Sequence, residues 1–166
     1  DGGLVSWIAE GRPVISGPTP TPTAAVFTAT PWPADRLASA DETAAHAAAG
    51  GPVLDARAAE RFTGEVVAID PRPGHIPGAR NAPWPAVLGA DGHFLPTERL
   101  LAHYAALGAD DADAAPIAYC GSGVSACMNV LAMEHAGLTP PRLYVASFSG
   151  WSADPHHDVE LGPHRG

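Results

Sequence analysis

The stretch Pro116-Ile117-Ala118-Tyr119-Cys120-Gly121-Ser122-Gly123-Val124-Ser125-Ala126-Cys127 constrains the fold of this chain more than any other. A short apolar run, read as a buried strand, ends on Cys120. Two glycines follow within three positions, and then a helix-forming segment runs from Val124 to His135. Glycines let successive backbone N–H groups turn inward as an anion-binding nest. The helix aims the positive end of its dipole at the same spot. A thiol held there is expected to have a depressed pKa and to react as the thiolate. The alternative is a buried cysteine acting as a small hydrophobe; the Gly-Ser-Gly turn favours the reactive reading.

Such a unit needs a sheet, and the flanking sequence supplies one. Ala25-Val26-Phe27-Thr28 reads as an edge strand, residues 34–49 as a helix closed by Gly50-Gly51, and residues 52–57 as a short apolar strand. A brief helix through Arg61-Phe62 and an irregular loop over 63–73 follow. Pro77-Gly78 is a strong turn signal, and Ala79 to Asn81 can start another strand. Leu95 to Leu107 reads as a helix stopped by Gly108, and Arg142 to Val145 as the last strand. Alternating strands and helices predict an α/β fold: a parallel sheet of about five strands with helices on both faces. Ligands of such sheets bind beyond the carboxyl ends of strands, where Cys120 sits by this reading.

The remaining segments divide the chain. Residues 1–11 read as a glycine turn and a short amphipathic helix stopped by Gly11, with Leu4, Trp7 and Ile8 on one uncovered face. The Pro/Thr run from Gly17 to Thr23 reads as an extended linker. The expected organisation is an end-piece of one domain over 1–16, a linker over 17–24, a complete domain over 25–155 and a loose tail over 156–166. A net charge of −9 argues against nucleic acid or an anionic membrane as partner. Two cysteines in 166 residues make no disulfide framework, and no apolar run reaches spanning length, so an intracellular, cytoplasmic setting is expected.

Three familiar uses of a strand–glycine loop–helix fit poorly. A dinucleotide fingerprint over Gly121, Gly123 and Ala126 wants an acidic residue closing the next strand, and Leu143-Tyr144-Val145-Ala146 has none. A cysteine phosphatase wants an Arg where Ala126 stands, and a P-loop wants a Lys that the loop lacks. The run from Cys120 to Cys127 instead resembles the active-site loop of rhodanese-type sulfurtransferases, nearest to the mercaptopyruvate version. Gly74-His75-Ile76-Pro77-Gly78-Ala79 resembles their upstream signature. Asp55-Ala56-Arg57 through Arg61-Phe62 also fits, as does Leu143-Tyr144 followed by Ser147-Phe148-Ser149-Gly150-Trp151. The resemblance runs over roughly residues 25–155, in family order. Where the family usually has an acidic residue after Tyr144 and a Trp three positions later, this chain has Val145 and Phe148.

The resemblance implies two tandem copies of one α/β domain, this chain carrying the second, with residues 1–16 similar to the end of the first and packed against it. It implies that Cys120 takes the outer sulfur of a donor as a persulfide and passes it to a thiol or cyanide. The backbone of Gly121, Gly123, Val124 and Ser125 would cradle the anionic sulfur, and Ser122 corresponds to the residue that passes a proton. Arg61 corresponds to an arginine that grips the donor carboxylate. Arg72 stands as a second such group, with a shorter connection to Gly74 than the family has. Read without the family, Arg61 is a surface charge or a partner of Asp55 or Glu65, and Ser122 a turn hydroxyl.

Loop charge bears on the donor. Thiosulfate is a compact dianion, and its specialised enzymes carry basic residues after the Cys, where this loop has Gly and Ser. A monoanionic thiol donor such as 3-mercaptopyruvate, held by Arg at its carboxylate, fits better than thiosulfate. The rival from another class is a non-catalytic rhodanese-like module that binds a partner or regulates its first domain. No cofactor or metal is implied. Cys127 is expected to be packed and His75 to be a structural part of its turn. His156, His157 and His164 are expected to be solvated rather than metal-bound.

Overall fold

The computed structural model describes residues 1–166 except 68, 112 and 164–166. Helix α1 (Gly3–Ala9) stands first and leads into an exposed, extended stretch. After a short 3₁₀ turn (Ala34–Arg36) come α2 (Ala40–Ala48), β1 (Val53–Asp55), α3 (Ala59–Phe62) and β2 (Arg80–Asn81). A second 3₁₀ turn (Trp84–Val87) precedes α4 (Thr97–Ala106), β3 (Ile117–Tyr119), α5 (Ala126–His135), β4 (Arg142–Leu143) and α6 (Ser147–Ala153).

Among the described residues four strands form one parallel sheet in the order β2-β1-β3-β4. Val53 pairs with Ile117 and Asp55 with Tyr119. Every residue of β1 and β3 is buried, as a sheet covered on both faces requires. Alternation then sorts the side chains into two cores. Val53, Ile117 and Tyr119 pack with Phe62, Ile76, Phe148 and Trp151 on the face covered by α2, α3 and α6. Leu54 faces the other way, toward Leu100 and Tyr104 of α4 and Met133 of α5. Each of these large side chains contributes about 1.5–3 kcal/mol by leaving water. Asn129, buried between α4 and α5, accepts from the Tyr104 hydroxyl at 3.0 Å and donates to the Ala82 carbonyl at 3.0 Å.

Three sequence expectations change. The edge strand over 25–28 does not form: Val26 is 98% and Phe27 89% exposed, with no strand beside them. A single parallel bridge between Leu37 and Leu143 meets the β4 edge instead. The helix expected over 34–49 breaks at Ser39, whose hydroxyl accepts from the Glu42 amide while Glu42 accepts from the Ser39 amide, a capping box that restarts the helix. The tail is tied down as far as Gly162: Glu160 exchanges two backbone hydrogen bonds with His75, and Gly162 donates to Thr63. The expected amphipathic helix near the start is present as α1, its Leu4, Val5, Trp7 and Ile8 exposed. Among the described residues no helix is long and apolar enough to cross a membrane.

Candidate active site

Cys120 lies immediately after β3, and its loop is tied down by the chain that follows β4. The N–H of Phe148 donates to the Cys120 carbonyl at 2.9 Å, and that of Ser149 to the Gly121 carbonyl at 3.0 Å. The Ser147 hydroxyl accepts from the Cys120 N–H at 3.2 Å and donates to the Tyr144 carbonyl at 2.9 Å. Ser147 takes a left-handed conformation (φ +51°) to do so, a strained state for a residue with a Cβ. Gly123 is required here on two counts. Its φ is +84°, and a Cβ would stand 2.8 Å from the Val145 carbonyl oxygen.

With the carbonyls of 120 and 121 drawn to α6, the amides of the loop turn toward sulfur. Burial pushes the Cys120 thiol up, but hydrogen bonds from the Ser125 hydroxyl and the N–H groups of Ala126, Ser122 and Ser125 outweigh it, and the net pKa is lowered. Two of these amides open α5, so the helix dipole acts in the same sense. Of the backbone groups expected to cradle the sulfur, that of Ser125 is among those acting on it, whereas Ser122 and Ala126 stand in place of Gly121, Gly123 and Val124. Cys120 is 1% exposed, closed in by Ala56, Ala118 and Ala126. Ser122 and Val124 are the exposed residues of the loop.

Arg61, from α3, reaches the loop: a Cβ on Gly121 would lie 3.1 Å from its guanidinium. Its partner is neither Asp55 nor Glu65 but Asp70. Asp70 is buried, and also accepts from the Ser149 hydroxyl at 2.8 Å and from Arg57 at 3.4 Å. Arg57 is itself bound side-on by Asp55 and donates to the Gly74 carbonyl at 2.8 Å, with Phe148 stacked 3.9 Å from its guanidinium carbon. Burial depresses the Arg57 pKa, but the hydrogen bond and charge of Asp55, with smaller help from Tyr119 and Asp70, leave it raised and the cation secure. Arg72 is engaged elsewhere: it donates to the carbonyls of Ser152 and Asp154 at 2.8 and 2.7 Å, and to that of Trp151 at 3.3 Å, bracing the end of α6.

Sequence reading missed Asp70. It lies in a loop read as irregular, and its only signal is a carboxylate in Ile69-Asp70-Pro71-Arg72, nine residues past Arg61. His75 is structural, as expected: it is buried, stacked 3.7 Å from Phe62 and hydrogen-bonded to the Phe62 carbonyl. Cys127 is not packed but exposed on the outer face of α5, its thiol directed back to the Gly123 carbonyl at 3.4 Å. His156 is exposed, whereas His157 stacks on Trp151 at 4.2 Å; His164 lies outside the described residues. A cavity of about 450 Å³ beside Trp151 and another of about 490 Å³ beside Cys127 are not lined by the Cys120 loop.

Residues 39–154 match the Rhodanese-like domain family. The chain belongs to that family. It is 42% identical over 165 residues to a Pseudomonas aeruginosa protein named as a 3-mercaptopyruvate sulfurtransferase, covering 98% of this chain and 57% of that one. It is 39% identical to SseB of Mycobacterium tuberculosis, named for thiosulfate sulfurtransferase, covering 98% of this chain and 56% of that one. Among solved structures, 3-mercaptopyruvate sulfurtransferase from Leishmania major matches with a TM-score of 0.68 at 33% identity, over 89% of this chain and 41% of that one. An anaerobic ergothioneine biosynthesis enzyme from Chlorobium limicola shares the fold, with a TM-score of 0.85 at 22% identity, over 97% of this chain and 40% of that one. This rhodanese-like chain spans just over half the length of the first two relatives.

Proposed function

We propose that this chain is the catalytic domain of a sulfurtransferase that takes sulfur from 3-mercaptopyruvate onto Cys120 and hands it to a thiol or cyanide. The observation that carries the reading is the sulfur itself. Its pKa is lowered despite burial, by one hydroxyl and three backbone N–H groups, and donors so arranged also suit a terminal persulfide anion. The Cys120 thiolate attacks the donor sulfur, and the donor C–S bond breaks with its electron pair left on carbon as the enolate of pyruvate. The donor's thiol proton passes through the exposed Ser122 hydroxyl to that carbon. Pyruvate leaves, and Cys120 carries the persulfide. An acceptor thiolate or cyanide attacks the outer sulfur, the S–S bond breaks, and the Cys120 thiolate returns.

Mercaptopyruvate is favoured over thiosulfate because residues 121–126 carry no cation. Arg61, beside Gly121, is the group for the donor carboxylate; Arg72, bound to three carbonyls, is a brace. The exposed apolar residues of α1 are read as packing surface toward further protein, consistent with the greater length of the relatives.

The test is a sulfur-transfer assay with 3-mercaptopyruvate and with thiosulfate, on this chain and on the full gene product, beside Cys120→Ser. Turnover and a one-sulfur mass increase are expected where Cys120 is present and not in the Cys120→Ser variant. Equal rates with and without the thiol exclude the enzyme and leave a binding module. A thiosulfate rate far above the mercaptopyruvate rate overturns the choice of donor alone.

A further inference from the structure

The charges around the Cys120 loop cancel in pairs. Arg57 is held by Asp55, and Arg61 by Asp70. Asp70 is also the hinge point of the site, because it grips Arg61 on one side and on the other Ser149, whose N–H anchors Gly121. It is buried, so its charge acts at low dielectric. Arg61 keeps unused capacity: its side chain is one-quarter exposed, and among the described residues only its Nη2 is engaged, by Asp70. A carboxylate could therefore bond Arg61 while Asp70 stays in place.

We propose that Asp70 determines donor selectivity at this site: by cancelling the charge of Arg61 beside the Cys120 loop it admits a singly charged carboxylate donor and disfavours a compact dianion. Selectivity here comes from a repulsive element as much as an attractive one. Arg61 supplies directional bonds that a planar carboxylate satisfies, whereas Asp70 removes the surplus positive charge that a doubly charged donor needs. This rests on the sulfur-transfer reading for the identity of the donors; the charge effect itself does not require turnover.

Two readouts test it, both on the chain carrying Cys127→Ala so that Cys120 is the sole thiol. The first is the rate of Cys120 alkylation by iodoacetate, an anion, relative to iodoacetamide, its neutral analogue. Asp70→Asn, which keeps the side-chain shape, is expected to raise that ratio about five- to tenfold at low salt, with the gain shrinking as salt screens it. Asp70→Glu restores the charge and is expected to hold the ratio within about twofold of the parent, even where both absolute rates change. A purely structural role would move both reagents alike. The second readout is kcat/KM for thiosulfate over that for 3-mercaptopyruvate, expected to rise about tenfold in Asp70→Asn. An unchanged alkylation ratio in Asp70→Asn overturns the proposal, whether or not any donor turns over. A raised ratio with no turnover by either donor leaves Asp70 as a charge filter and overturns the sulfur-transfer reading instead.

Discussion

The N–H of Phe148 donates to the carbonyl of Cys120 at 2.9 Å, joining the start of α6 to the end of β3. A peptide plane has two sides, so drawing one carbonyl down obliges the chain beyond it to present its amides elsewhere. At this loop they face the sulfur, where they lower the pKa of a thiol that burial alone would raise. The Cys120 loop is thus shaped by a segment 27 or more residues downstream, not by its own turn alone.

Removing the Ser125 hydroxyl removes the largest of the effects that lower the Cys120 pKa. Ser125→Ala is therefore expected to raise it. At neutral pH the thiolate fraction falls, and iodoacetamide alkylation of Cys120 slows several-fold, recovering as pH rises. The pH–rate profile in a Cys127→Ala background measures this. An unmoved profile would show that the backbone amides suffice.

Ser147→Ala leaves the Cys120 N–H buried without its acceptor. An unsatisfied buried donor costs about 1–3 kcal/mol. Urea unfolding should report a loss of that size, with Cys120 less reactive because the loop is less firmly held. A variant as stable as the parent would mean that another acceptor replaces the hydroxyl.

Gly123→Ala forces a Cβ onto a residue at φ +84° and against the Val145 carbonyl oxygen at 2.8 Å. Strain of this kind is worth about 1–3 kcal/mol, and relief must come from moving the loop. The expected result is a lower Tm and alkylation of Cys120 that has lost its low-pH limb. Thermal unfolding and the same pH–rate profile test both halves.

Stability should fall as the solution is acidified from neutral, because one buried and two half-buried imidazoles must take up protons. His46, His75 and His103 are each held below the ordinary value, in every case chiefly by burial. The unfolded chain therefore binds protons first. Stability is full above the unfolded value of about 6.5 and is lost as pH falls below it toward the lowered native values. Glu42, pulled to about 2 first by the Ser39 backbone and then by Arg142, keeps its stabilising effect throughout that range and loses it only as pH falls below the unfolded glutamate value of about 4.3. A urea midpoint that stays flat from about pH 7.5 to about pH 5.5 would count against the imidazoles.

What could be read from residues alone was local. The strand into Cys120, the Gly-Ser-Gly turn and the helix behind it depend on neighbours a few positions away, and periodicity, turn chemistry and capping report such neighbours directly. The alternation of strands and helices was legible for the same reason, as was the resemblance that rests on contiguous motifs. Pairing across the chain was not. Val26 and Phe27 have strand-forming side chains, but a strand exists only where another offers its edge, and the edge of β4 meets Leu37 instead. Arg61 and Arg72 look alike in sequence, yet one stands by Gly121 in a pair with Asp70 and the other braces α6. Asp70 and Ser149 are 79 residues apart, a contact no local pattern encodes. Sequence alone set Cys120 at the end of a strand with a glycine turn and a helix behind it, because a strand end and its turn are built from adjacent residues. Tertiary structure alone decided which charges lie near that cysteine, since electrostatic partners are chosen by distance in space and by burial.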